Sequence, residues 1–222
     1  MIDNGATDKE IADAHFGSWC RYERAFKRYR MMSRSGRSSQ TKVNVIWGPP
    51  GTGKTKLVLK MAEEQADALS SSVFVLTDAM RHSSGVWWDG YLGQKVVVIE
   101  EFEGWISRNN FKGLVNHSPL NVQIKGGAVP FLAEVIFITS NKAPNMWWKL
   151  ESTVHRSAWP QVTRRLRPPI GHCFQAARNP DVEPSEDVFN EDFCLLTEEY
   201  GCLELPQPNE PYIVPVDQFH MN

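Results

Sequence analysis

Eight consecutive residues carry the clearest chemistry. Gly48-Pro49-Pro50-Gly51-Thr52-Gly53-Lys54-Thr55 follows the pattern G-x-x-x-x-G-K-[ST], a phosphate-binding loop. Its glycines let successive backbone N–H groups converge on phosphate oxygens. Lys54 supplies a point charge for the β- and γ-phosphates of ATP, and the Thr55 hydroxyl a ligand for Mg²⁺. A second element follows 46 and 47 residues after Lys54, where Val96-Val97-Val98-Ile99 runs into Glu100-Glu101. Two carboxylates at the end of an apolar strand suit a metal–nucleotide site. One binds Mg²⁺ directly or through water, and the other orients or deprotonates the attacking water. A third strand-like run, residues 135–141, ends in Asn141, whose amide can donate to the γ-phosphate or the lytic water. A turn-forming Asn before Lys142-Ala143-Pro144 explains that residue equally well. Arg164-Arg165 is a candidate for an arginine supplied across a subunit boundary. A solvated or dipole-paired helix end is the plainer explanation for that pair.

These groups need strands and helices to hold them. Residues 43–47 form a short apolar run that stops at Gly48 and predicts a buried strand. Apolar positions 57, 58, 61, 62, 66 and 69 predict a helix opening at the loop's end. Further apolar runs at 73–76, 96–99 and 135–138 predict strands. Strands alternating with helices imply an α/β domain with a mostly parallel sheet flanked by helices. Upstream, residues 7–31 predict a helix. Thr7 and Glu10 have capping-box spacing, and Ala12, His15, Trp19, Tyr22, Phe26 and Tyr29 make a seven-residue stripe. Gly17 weakens its middle, so either one helix or two with a bend at 16–18 fits the pattern. The expected organisation is a helical oligomerisation segment over 1–32, a polar linker over 33–42, the P-loop domain over 43–170, and an acidic, Pro-containing tail over 171–222.

The charge is uneven along the chain. Of 222 residues, 24 are Lys or Arg and 26 are Asp or Glu. Residues 1–170 carry 23 of those cations against 15 of the acids, whereas residues 171–222 carry only Arg178 against 11 acids. A basic body points to an anionic partner. An acidic tail competing with that partner for the body is one expectation, and a solubilising tail is another. No apolar run is long enough to span a bilayer, and no leader pattern follows Met1. The four cysteines lack zinc-site spacing and are expected as reduced thiols. Trp87-Trp88 and Trp147-Trp148 can stack bases, although core packing is the commoner use.

Taken together, these segments resemble the helicase half of the replication-associated (Rep) proteins of circular single-stranded DNA viruses, nearest the circovirus-like group. The resemblance rests on residues 48–55, 86–105, 122–141 and 164–166, in the same order and spacing over roughly 7–168. It implies a P-loop NTPase of the AAA+-like helicase superfamily 3. Superfamily 3 helicases of small RNA viruses share the ATPase motifs, so a description as RNA helicase is expected from the same residues. By resemblance, 48–55 is Walker A, Glu100 and Glu101 are Walker B, and Asn141 is the motif C sensor. Lys125 with Gly126-Gly127 falls in the hairpin that tracks single-stranded DNA in the central channel, with Lys112 a possible helper. Arg164 or Arg165 corresponds to the arginine finger, and 7–31 to a helical collar.

The implied activity is ATP-driven, Mg²⁺-dependent movement on single-stranded DNA, 3′→5′, in rolling-circle replication. The implied assembly is a homo-hexamer, with full-length Rep as a further partner, RNA not excluded, no membrane, and the host nucleus as the location. Two departures from the family pattern stand out. Glu100 occupies the place where the family usually has Asp, moving the carboxylate by about one C–C bond, ~1.5 Å. The His-hydrophobe-His and Tyr-x-x-Lys motifs of a nicking domain do not occur in these residues, so the chain is not expected to nick an origin by itself. The alternative reading is a truncated Rep that binds nucleotide and oligomerises but regulates rather than unwinds. The run Lys27, Arg28, Arg30, Arg34, Arg37 is read as a DNA contact, a nuclear import signal or a solvated helix end.

Overall fold

Six of the described strands form one sheet, in which the apolar run at 135–138 lies between those at 43–47 and 96–99. The computed structural model describes residues 8–32, 36–37, 39–83, 85–148, 158–182 and 193–205. In chain order, α1 (Asp8–Ala14) and α2 (Phe16–Met32) precede β1 (Lys42–Trp47), α3 (Lys54–Ala68) and β2 (Val73–Leu76). A two-stranded ribbon, β3 (Arg81–His82) and β4 (Gly85–Val86), leads to β5 (Val96–Ile99) and α4 (Arg108–Leu114). The hairpin β6 (Asn121–Ile124) and β7 (Gly127–Pro130) then precedes β8 (Val135–Ser140). The short α5 (Pro160–Thr163), β9 (Gly171–Arg178) and β10 (Cys194–Glu198) complete the set. The main sheet runs β10-β9-β1-β8-β5-β2. All its neighbours are parallel except β9 and β10.

Apolar runs become central strands here because both sheet faces are covered. On one face Ile46, Val96, Val98, Val135 and Phe137 meet Val58, Ala62 and Ala66 of α3, which recur every four residues along one helix side. On the other face Val43, Val45, Val97, Ile99, Ile136 and Ile138 meet Phe102, Phe111, Trp147 and Trp159. Alternation within each strand thus divides the core into two layers. Trp88 and Trp147 are buried in the second layer, and the Trp148 indole N–H donates to the Ile106 carbonyl at 2.9 Å. Three of the four paired tryptophans are therefore packing or bracing residues; Trp87 alone stands half-exposed outside that cluster.

Several expectations need correction. The boundary at 170 cuts the sheet, because β9 from the expected acidic tail lies directly beside β1, with Val45 opposite Cys173. Its sequence, GHCFQAAR, has no apolar run. Small residues at Gly171, Cys173 and Ala176 take the buried positions, so hydrophobicity did not announce the strand. The expected linker is also docked where it is described. Arg37 is 6% exposed and Thr41 fully buried. The Arg37 guanidinium donates to the carbonyls of Gly113 and Leu114 at the end of α4, to Ser118 O at 3.0 Å and to Thr41 Oγ1 at 2.9 Å. Its cation caps carbonyls that the helix leaves open. Burial pulls its pKa down to about 10, with Tyr91 acting in the opposite direction. Arg37 is therefore no DNA contact. Arg34 and the side chains of Lys27, Arg28 and Arg30 lie outside the described residues.

The N-terminal helix is broken at His15 rather than at 16–18, and Gly17 lies inside α2. The hydrogen-bond ladder continues through the break, with His15 N–H donating to Ile11 O and Trp19 N–H to His15 O. Thr7 lies outside the described residues. The aromatic stripe packs partly on itself, Trp19 stacking on Phe26 at 6.0 Å. Tyr22 meets Phe26 edge-on at 6.5 Å, and the stripe still shows much of its surface to solvent, Tyr22 being 51% exposed and Tyr29 49%.

Removing β9 and β10 would bare the β1 edge and the cores on both faces. A chain ending at Ile170 is expected to lose cooperative thermal unfolding and to aggregate. A sharp transition within a few degrees of the full chain, by circular dichroism, would show that the sheet does not need these strands.

Candidate nucleotide site and hairpin

The phosphate loop joins β1 to α3, and its first residue shows why a glycine is needed there. Gly48 has φ +154°, and a Cβ at that position would lie 2.3 Å from the Ala176 carbonyl of β9. Within the loop, the Thr52 hydroxyl donates to Pro49 O at 3.1 Å. Lys54 opens α3 and is only 7% exposed. Its ammonium donates to Gly48 O at 2.9 Å, to Pro49 O at 2.6 Å and to Asn141 Oδ1 at 3.2 Å. Burial lowers its pKa, while Cys194 and Glu101 pull the other way. Pro50 and Gly51 stand exposed at the loop's crest, Gly53 closes it, and Thr55 is half-buried one residue into the helix.

Glu100 and Glu101 follow β5 directly. Glu100 is half-buried, and burial raises its carboxyl above the ordinary range, with the neighbouring Glu101 adding to the effect. A cation at this point would relieve both causes. Glu101 has φ +46°, a left-handed conformation that costs a non-glycine residue of order 1 kcal/mol or more. Two bonds hold it there. Its N–H donates to Thr139 Oγ1 at 3.0 Å, and the Trp105 indole N–H donates to its carbonyl at 3.2 Å. Thr139 belongs to β8, so the strand that leads into Asn141 also sets the acidic turn. Residue type alone does not reveal that role, since Thr139 reads simply as a β-branched strand residue.

β8 lies between β1 and β5. The loop, Asn141 and the two glutamates therefore come together at the carboxyl ends of three adjacent strands, where open sheets bind ligands. Among the described residues no cluster of three His, Cys, Asp or Glu exists that would hold a metal alone. Thr55 with one carboxylate nonetheless fits a nucleotide-bound Mg²⁺, which draws most of its ligands from phosphate and water.

The remaining candidates lie elsewhere. Lys125 and Gly126 form the turn of the β6–β7 hairpin, with Gly126 at φ +89° and Gly127 already in β7. Asp89, which carried no role in the sequence reading, holds this tip. It accepts from Lys125 N–H at 2.7 Å and pairs with Lys125 Nζ at 3.2 Å. The Lys125 N–H bond is the first cause of its lowered pKa. Lys112, on α4, donates to Gln161 Oε1 of α5 at 3.0 Å, so its contact is with the arginine-bearing segment and not the turn. The two arginines differ. Arg165 is 9% exposed and donates to Gln161 O and, at 3.5 Å, to Asn116 Oδ1. Burial, then Arg164, lowers its pKa. Arg164 is exposed, with no side-chain hydrogen bond or ion pair among the described residues.

A family model described as RNA helicase matches residues 44–142. The span runs from β1 through Asn141, and so covers the loop, the two glutamates and Asn141. The replication-associated protein of Porcine circovirus 2 is 41% identical over 112 residues, covering 50% of this chain and 32% of that protein. That of Human associated cyclovirus 1 is 38% identical over 141 residues, 63% of this chain and 48% of the relative. That of Beak and feather disease virus is 34% identical over 149 residues, 67% and 47%. The chain thus spans about a third to a half of the length of the curated relatives it matches. No helix among the described residues is long and apolar enough to cross a membrane. With its P-loop, its mostly parallel sheet and these likenesses, the chain resembles the superfamily 3 helicase portion of circovirus replication-associated proteins.

Proposed function

We propose that the chain is an ATP-dependent translocase on single-stranded DNA, serving rolling-circle replication of a circular viral genome in the host nucleus. The observation that carries this reading is the meeting of Lys54, Asn141 and the Glu100–Glu101 pair at three adjacent strand ends. In the proposed mechanism the γ-phosphate replaces the Gly48 and Pro49 carbonyls as the partner of Lys54, with loop N–H groups from Gly48 to Thr55 around the phosphates. Thr55 and Glu100 hold Mg²⁺, which neutralises phosphate charge when bound. Glu101 orients and deprotonates the attacking water, and Asn141 reports the γ-phosphate to β8. Lys125, with Gly126 and Gly127 shaping the tip, grips the DNA backbone. Lys112 plays a lesser part.

A ring is part of the proposal. The open aromatic side of α2, with Phe16 70% exposed, supports a collar of identical subunits, taken as six. Arg164 is free to reach a neighbour's γ-phosphate, whereas Arg165 is committed to Gln161 and Asn116 within its own subunit. A second reading rests on Glu100 standing in the usual place of Asp: the chain binds nucleotide, joins rings with full-length Rep and regulates them without useful turnover.

ATP turnover decides between the two. The purified chain is expected to hydrolyse ATP faster with single-stranded DNA. Lys54→Ala and Glu101→Gln are each expected to lower turnover by at least about 10²-fold. Nucleotide binding without turnover above Lys54→Ala would favour the regulatory reading.

The arginines give a separate test. Arg164→Ala should lose about 10³-fold in turnover with unfolding free energy changed by no more than about 0.5 kcal/mol. Arg165→Ala should destabilise by about 1–2 kcal/mol, because it removes a nearly buried guanidinium and strips partners from two half-buried acceptors. The opposite pattern would assign the finger to Arg165.

A further inference from the structure

A cleft of about 540 Å³ opens between α4, the β3–β4 ribbon and the outer arm of the β6–β7 hairpin. Its walls carry no charged side chain. They carry four carboxamides, Asn109, Asn110, Asn121 and Gln123, together with the half-exposed indole of Trp87. The floor is apolar, with Ile106 and Leu114 almost fully buried. None of the four carboxamides has a hydrogen-bond partner among the described residues. The volume is that of a site for a small organic ligand. The lining excludes a phosphate or a metal as the natural occupant, since it offers neither cation nor carboxylate.

The position narrows the choice further. Along β6 the exposed residues alternate, with Asn121 and Gln123 outward and Val122 inward. Lys125 continues the same side at the turn. Gln123 is two residues, about 7 Å along the strand, from Lys125, the reach of one nucleotide. A chain whose phosphate sits on the Lys125 ammonium therefore brings the adjoining base over the cleft. Carboxamides present a donor and an acceptor together, which is what a base edge requires. An indole offers a stacking surface that accepts any base. The α4 wall is also fixed in place: Arg37 holds the Gly113 and Leu114 carbonyls from behind.

We propose that this cleft is a subsite for one unpaired nucleobase of the strand held at the hairpin tip. The proposal rests on the single-strand reading given above. It adds to backbone tracking a contact with the base itself, made by Asn110 and Gln123 on opposite walls with Trp87 beside them. Binding then depends on bases as well as on phosphates.

The test compares two labelled 30-mers, oligo-dT and an abasic deoxyribose-phosphate strand of equal length. Binding to the full chain is followed by fluorescence anisotropy with a non-hydrolysable ATP analogue present. The wild-type chain should bind oligo-dT about tenfold more tightly than the abasic strand. The double variant Asn110→Ala/Gln123→Ala should lose about tenfold on oligo-dT, the worth of two hydrogen bonds, and nothing on the abasic strand. Both positions are exposed, so its thermal midpoint should match the wild type. Lys125→Ala should weaken both strands alike. A double variant that binds oligo-dT as the wild type does, or weakens on both strands equally, overturns the subsite while leaving the single-strand reading intact. A wild-type chain that binds neither strand overturns that reading and the subsite with it.

Discussion

A lysine ammonium taken almost wholly out of water must be fully occupied by acceptors, and much of this molecule is arranged around that requirement. Lys54 finds two of them in the carbonyls of its own loop and a third on Asn141, at the end of a strand far away in sequence. The third bond forms only because β8 runs directly beside β1. β8 in turn must also run beside β5, where Thr139 fixes the backbone of Glu101. One central strand thus brings Asn141 to Lys54 at its tip and sets the acidic turn through Thr139 two residues earlier. Gly48 closes the other side, since β9 passes so near the loop's start that no side chain fits. The site is a product of strand order before it is a product of any one motif.

How much of this was legible depended on whether burial left a trace in residue type. The strands at 73–76 and 96–99 were read at their observed limits, because parallel strands covered on both faces are apolar without interruption. The phosphate loop was legible because its chemistry fixes both residue and spacing. β9 was illegible for the opposite reason: it lies beside other backbone, takes small residues, and looks polar. Arg37 was illegible because a buried guanidinium satisfied by carbonyls is spelled like a solvent-facing one. Asp89 is a similar case, its meaning arising only when a turn 36 residues away folds back onto it. The two arginines at 164 and 165 could not be told apart by sequence, since only the packing of α5 decides which one turns inward.

The sheet face opposite α3 is built on different packing from the face that α3 covers. Its core is unusually aromatic, with Phe102 stacked on Phe111 and both edged by Trp147 and Trp148. Large rigid rings with few rotatable bonds suit a layer that must hold a hairpin and a short helix in fixed relation. The hairpin is also bonded to the segment before it, Trp88 N–H donating to Gln123 O at 2.7 Å. The tip therefore moves with the body of the domain rather than as a loose finger.

The Arg37 clamp has a consequence for the helices upstream. Because Arg37 is locked into the end of α4, the chain is already fixed to the domain five residues before β1 begins. Five peptide steps separate Met32 from Arg37, a reach of at most about 18 Å. The helical pair is therefore on a short leash, anchored to the same helix that walls the amide-lined cleft. Arg37 and, three residues on, Gln40, which donates to Val115 O at 2.7 Å, tie the chain to that wall. The molecule has a mechanical coupling point where its sequence shows only serines, glycine and scattered charge.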